Sequence, residues 1–277
     1  GNVDLDETDA ITLTDLDTAN GAITVDAGGL ITATDVVAAG GAGDSVTLTT
    51  TTGGAVATLV TGADAVSITA NAGDVTIGAV TATLGTLGVT ATAGSINDAA
   101  DDNTLDLSAG GLITLTARDE IGVRAAGTDT DLEFAAGSSV NVSTTGTGAI
   151  DLDGLGALTL TDLDTANGAI TVDAGGALTV TDVASGTNGN IILTTSSGDI
   201  TGVATVNAGG GNVTLTSAGA IVDDGSAGTV ITGAVLTADA AGAITIDSTV
   251  TSVDVSTSAA GNVDLDETDA ITLTDLD

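Results

Sequence analysis

The sequence predicts an all-β chain wound as a right-handed parallel β-helix, a β-solenoid with about 20 residues per coil. Three observations predict it. Apolar residues alternate with Thr and Asp in short runs such as Ile23-Thr24-Val25-Asp26, the pattern of a half-buried strand with Ile and Val inward. These runs repeat in register. The 277 residues also include 40 Gly, no Pro and a single aromatic residue. Proline is excluded where both edges of a strand are paired. A core without aromatic residues is thin, filled by Ala, Val, Ile and Leu.

The first runs begin at Val3, Ile11, Ile23 and Ile31. Shifted by 20 residues, Val3 and Leu5 fall on Ile23 and Val25, and Ile11 and Leu13 fall on Ile31 and Ala33. Thr12 and Thr14 fall on Thr32 and Thr34, Asp6 on Asp26, and Asp15 on Asp35. A later segment does the same: Ile150 and Leu152 fall on Ile170 and Val172, Leu158 and Leu160 on Leu178 and Val180, Asp153 on Asp173, and Asp162 on Asp182. Turn residues such as Asn20-Gly21, Gly28-Gly29, Asn167-Gly168 and Gly175-Gly176 separate the runs. A meander of β-hairpins would use the same turns. It would not bring like residues onto like in successive coils, whereas a parallel solenoid does. The right hand follows from the handedness of parallel crossovers. The spacing wanders at 46–66 and 191–213, so coil length varies.

Two longer repeats lie above the coil. Residues 1–17 (GNVDLDETDAITLTDLD) recur letter for letter at 261–277, a period of 260 residues. Residues 10–36 match 157–183 with four apolar-for-apolar exchanges: Ile11/Leu158, Leu30/Ala177, Ile31/Leu178 and Ala33/Val180. The reading is one continuous solenoid over 1–277, made of one period, 1–260, and the start of the next, 261–277. The period corresponds to about 13 coils and, at ~4.8 Å per coil, to about 62 Å of rod. The recurring phrase further implies a window on a longer chain.

Composition removes much chemistry. The formal net charge is −36, from 38 acidic residues against two arginines. Without Cys there is no disulfide or thiolate, and without His there is no imidazole base or ordinary zinc site. Two arginines make no basic track for nucleic acid, and no apolar run approaches the ~20 residues of a membrane span. The chain is too rich in Val, Ile, Leu and Thr for a disordered polyanion, and its mean hydropathy is positive.

The phrases GAITVDAGG, LITLTA, NVTLTSAGAI and AITLTDLDTANGAITVDAGG resemble the repeats of filamentous-haemagglutinin-like exoproteins. They are still more similar to those of the β-strand-repeat giant surface proteins of bacteria. The resemblance runs over essentially the whole chain. It implies an extracellular, cell-surface rod: a structural fibre, sheath or filament repeat that self-associates, or the stalk of a large adhesin whose binding tip lies elsewhere. No enzymatic activity and no required cofactor are expected, because the chain has neither His nor Lys and a site repeated every 260 residues along a rod is unusual for an enzyme.

Candidate sites are few. Asp15-Leu16-Asp17-Thr18-Ala19-Asn20-Gly21 recurs as Asp162-Leu163-Asp164-Thr165-Ala166-Asn167-Gly168. Oxygen ligands before a Gly turn suit Ca²⁺, so Asp15, Asp17, Asn20, Asp162, Asp164 and Asn167 are candidate calcium ligands. The bland alternative is an Asx-type turn between strands. Gly40-Gly41-Ala42-Gly43-Asp44-Ser45-Val46 is similar to the calcium nonapeptide of RTX proteins but is one residue short and occurs once. Thr-x-Thr pairs at 12–14, 32–34, 47–49, 114–116, 159–161, 179–181 and 214–216 are compatible with an ice-binding face, or simply with good outward strand residues. Asp101-Asp102 and Asp223-Asp224 invite comparison with the carboxylate pairs of β-helical polysaccharide hydrolases. Arg118 and Arg124 are expected to form surface ion pairs with Asp119, Glu120, Asp129 or Asp131. Stacked carboxylates such as Asp6 over Asp26 are expected to attract divalent cations.

Overall fold

The computed structural model describes residues 1–100, 102–123, 131–226, 228, 230–268 and 270–276. Among them there is no helix, and so none long and apolar enough to cross a membrane. The described strand pairings are parallel and join coil to coil in a continuous β-solenoid of about 12 turns, about 21 residues each.

The alternation read from the sequence is the alternation of the core. Ile23, Val25, Leu160, Ile170 and Val172 are fully buried, while Asp26, Thr161 and Asp173 are exposed and Thr24 is half-buried. The register is also as expected: Val3 pairs with Ile23, Asp6 with Asp26, Ile11 with Ile31, Ile150 with Ile170 and Asp153 with Asp173. Each inward Val, Ile or Leu therefore stacks on its equivalents above and below. Burying such a side chain contributes about 1.5–3 kcal/mol, so a narrow column suffices with a single aromatic residue.

Corners are closed by backbone contact. A Cβ on Gly168 would sit 1.9 Å from the carbonyl oxygen of Gly148 in the preceding coil, and one on Gly28 would sit 1.9 Å from that of Thr8. A hydroxyl often locks the same corner from inside. Thr144 Oγ1 donates to the Gly148 carbonyl at 2.9 Å, Thr165 Oγ1 to that of Gly168 at 2.7 Å, and Ser217 Oγ to that of Ala220 at 2.9 Å.

A coil has one five-residue strand and two short ones. In the first half the long strands stack as Val3–Glu7, Ile23–Ala27, Val46–Thr50, Val66–Ala70, Leu87–Ala91 and Ile113–Ala117. Ser138–Thr144 continues this stack, but its next partner, Leu158–Thr165, comprises two short segments joined at a bulge. The long strands then run along the following face as Ile150–Gly154, Ile170–Ala174, Ile191–Thr195 and Val213–Ser217. The related segments 10–36 and 157–183 thus lie one face apart. By contrast, Val263 is reached from Ser138 through Leu158, Leu178, Ile200, Ile221 and Ile244, while the column of Val3 passes through Val140, so the 260-residue period returns to the face on which it began offset by two residues, with Glu267 in the column of Leu5.

The turns are fewer and longer than 20-residue spacing predicts because two coils are enlarged. Leu87 pairs with Ile113 and Ile113 with Val140, offsets of 26 and 27 residues.

Candidate site: a buried carboxylate cluster

Both enlarged coils take up their extra residues at one corner. In the strand Val75–Ala82, inward Ile77 and Val80 are separated by Gly78 and Ala79 alone. In the next coil the partner of Ile77 is Asp98 and that of Val80 is Leu107, with residues 99–106 between them. One coil further, Ile121 bridges to Ile96 and Phe134 pairs with Leu107, leaving residues 122–133 between them. The widened corner carries the chain's one aromatic side chain, fully buried Phe134. In Leu132–Phe134 all three residues are buried and the usual alternation is lost.

Three carboxyl groups meet here. Asp98 occupies the inward slot that Ile77 and Ala57 fill in the two preceding coils. Asp106 and Glu133 are neighbours in adjacent coils: Asp106 N donates to the Glu133 carbonyl at 3.1 Å, and Glu133 N donates to Asp106 Oδ2 at 3.2 Å. Asp98, Asp106 and Glu133 are 2%, 2% and 0% exposed, and a carboxylate oxygen from each lies within 4.8 Å of the others. Asp98 Oδ1 accepts the Ala100 N–H at 3.0 Å. Neither Glu133 oxygen accepts a hydrogen bond from a donor group among the described residues.

Burial, the largest cause, pushes the Asp106 and Glu133 carboxyl groups well above their ordinary range; the pairing of the two raises Glu133 further and holds Asp106 back, and the other negative neighbours raise both. Asp98 and Asp102 face Asp106; Asp131 and Asp98 face Glu133. An all-oxygen, all-anionic site of this kind has two ways to be neutral: it holds protons, or it holds a hard cation.

The sequence-predicted residues are placed elsewhere. Asp162 and Asp164 lie on the strand Leu158–Thr165, flanking fully buried Leu163, so the phrase is strand rather than turn. Their outward carboxyl groups are brought together. Burial and then the charge of Asp162 raise the pKa of Asp164 and of Asp182 one coil on, with Asp182 adding to the shift at Asp164, and Asn141 Nδ2 donates to Asp162 Oδ2 at 3.2 Å. Asn167 is not part of that group: at the next corner its Oδ1 accepts the Asn188 N–H at 2.9 Å. In the first copy Asp17 lies on the strand Leu16–Thr18, and Asp15 and Asn20 lie at the corners on either side of it, all three exposed.

Within Gly40–Val46, Asp44 folds back on its own turn, Oδ2 accepting the Gly41 N–H at 2.9 Å. Asp223 and Asp224 accept the N–H groups of Gly225 and Ser226, and Asp102 that of Thr104. These are self-closing Asx turns. Asp101, Arg124 and Asp129 lie outside the described residues. Arg118 forms a two-pronged pair with Asp119, Nη2 to Oδ2 at 2.6 Å and Nε to Oδ1 at 3.0 Å, on the open surface. The Thr-x-Thr pairs point outward or are half-buried.

The architecture defines a parallel β-solenoid built from repeated coils. Compared with protein-family models, curated proteins and solved structures, the chain matches none of them.

Proposed function

We propose that the chain is a repeat of an extracellular, bacterial cell-surface fibre, sheath or filament, with a mechanical rather than catalytic role. The observation that carries this reading is the return of the 260-residue period to its starting face after about 12 turns. A two-residue offset keeps inward residues inward, so a period that returns to its starting face can stack on a copy of itself with the alternation preserved. The resemblance to filamentous-haemagglutinin-like and β-strand-repeat surface proteins supplies the cell-surface context.

A second observation favours lateral packing into a layer. On the long-strand face the outward pairs are Thr47/Thr49, Ser67/Thr69, Gly88/Thr90, Thr114/Thr116 and Asn141/Ser143. This uncharged strip spans five coils of a chain with net charge −36. It is bounded by Asp26 on one side and by Asp162 and Asp164 on the other. Elsewhere like charges keep rods apart. That repulsion also supports the alternative, an isolated adhesin stalk.

Electron microscopy of one and of two tandem periods tests both readings. The rod should lengthen by about 58 Å per added period, at ~4.8 Å per coil. Rods joined side by side through the Thr strip support a layer. Rods that stay single at every concentration support the stalk, and a second period that does not extend the first sinks the fibre.

A further inference from the structure

We propose that Asp98, Asp106 and Glu133 bind one Ca²⁺ ion inside the widened corner, and that the ion ties the two ends of residues 98–106 to each other and to the next coil. This site is separate from the Asp-Leu-Asp phrases.

The argument begins with Glu133. A fully buried carboxylate with neither oxygen hydrogen-bonded to a donor is costly unless a positive charge or a proton meets it. The groups it faces are Asp98, Asp106 and Asp131, all acidic. The chain has no Lys, and among the described residues the one arginine, Arg118, is engaged at the surface by Asp119. What meets the cluster is then a proton or a cation brought from solution, and the convergence of a third buried carboxylate, Asp98, on the pair points to the cation.

Ligand chemistry narrows which cation. All three donors are carboxylate oxygens, which select hard ions over zinc or copper. Their separations, within 4.8 Å, are spanned by two bonds of about 2.3–2.6 Å to a shared Ca²⁺. Mg²⁺ demands a tighter octahedron and keeps several waters, which suits an open surface better than a corner where Glu133 has no exposed area. Position gives the ion a role. Asp98 opens the insertion, Asp106 closes it, and Glu133 lies beside Asp106 in the following coil. A metal bridging the three fixes the loop where the ladder is interrupted.

The test is calcium binding by equilibrium dialysis and calorimetry on the full 277-residue chain, in NaCl and Mg²⁺ high enough to saturate diffuse surface sites. One saturable Ca²⁺ per chain is expected, weakened at least tenfold by Glu133→Gln and unchanged by the double variant Asp162→Asn/Asp164→Asn. Glu133→Gln keeps the side-chain shape; should it fail to fold, Asp98→Asn makes the same test. The proposal is overturned by the absence of a saturable ion, by a site that survives both Glu133→Gln and Asp98→Asn, by one lost in the Asp162/Asp164 variant, or by one that Mg²⁺ fills equally well.

Discussion

The coil around Asp26 and the corner around Glu133 follow the same strand rules and reach opposite ends. Asp26 stacks over Asp6, and Glu133 over Asp106. Asp26 is exposed to water, whereas Glu133 has no exposed area. In the regular coils outward strand carboxylates such as Asp26 and Asp173 are open to solvent. At the widened corner Asp98, Asp106 and Glu133 are closed off from solvent. A residue's direction along a strand therefore fixes its side of the wall, while the length of neighbouring coils fixes whether that side is wet.

A reciprocal exchange should break this contrast most severely. Ile170→Asp puts an unpartnered charge into a slot that is fully buried, and should cost at least ~4 kcal/mol or abolish cooperative unfolding. Asp98→Leu makes the mirror change at an inward slot held by Ile77 in the coil before. In chelator it should stabilise by about 1 kcal/mol or more. Urea unfolding measures both, and a destabilised Asp98→Leu in chelator would show that the carboxylate is already well compensated.

The next largest effect separates crowded from open glycines. Gly168→Ala drives a Cβ into the Gly148 carbonyl and should cost about 3 kcal/mol. Gly88→Ala, on the open strip with nothing within 4 Å, should be neutral or stabilise by a few tenths of a kcal/mol. Equal melting temperatures for the two variants would contradict backbone contact as the limit on coil spacing.

The pH dependence sharpens the comparison further. Asp106, Glu133, Asp164 and Asp182 all have raised folded-state values, burial being the leading cause. Groups raised on folding add stability that is complete below the ordinary carboxylate range of about 4. In chelator that contribution should be lost as pH rises through the folded values, so the melting temperature falls from mildly acidic to neutral pH. A melting temperature that rises over this interval would reverse the sign and refute the assignment. The smallest effect is expected on the uncharged strip: Thr69→Asp should change stability by no more than about 0.5 kcal/mol, yet abolish side-by-side association of rods in sedimentation.

How far each region could be read from sequence follows from the same physics. Ile23, Val25 and Asp26 declare their directions through alternation, and the 20-residue shift declares their partners. Leu163 is similarly legible as inward, although the flanking aspartates suggested a turn where the backbone is strand. Glu133 alternates with Leu132 and Phe134 in the sequence, but nothing local announces that it is covered. Its burial depends on coils closed far away in the chain. Asp98 was missed because Ile96-Asn97-Asp98 reads as a strand running into an Asx turn, and only the pairing with Ile77 shows an acidic residue in an aliphatic column. The faint signals available were one of the chain's few Glu residues beside its one Phe, and the wider gap between apolar runs after Ile96.

The phase of the two repeats has a genetic consequence. The phrases at 1–17 and 261–277 begin on the same face of the rod, two residues out of register, so an unequal exchange between their coding sequences would add or delete about one period of turns and keep inward residues inward. The related segments 10–36 and 157–183 are one face out of phase. Exchange between those would set five-residue strands against three-residue strands and require another bulge like the one in Leu158–Thr165. Rod length can therefore change in steps of one period with the alternation preserved, whereas a shorter step sets strands of unequal length against one another.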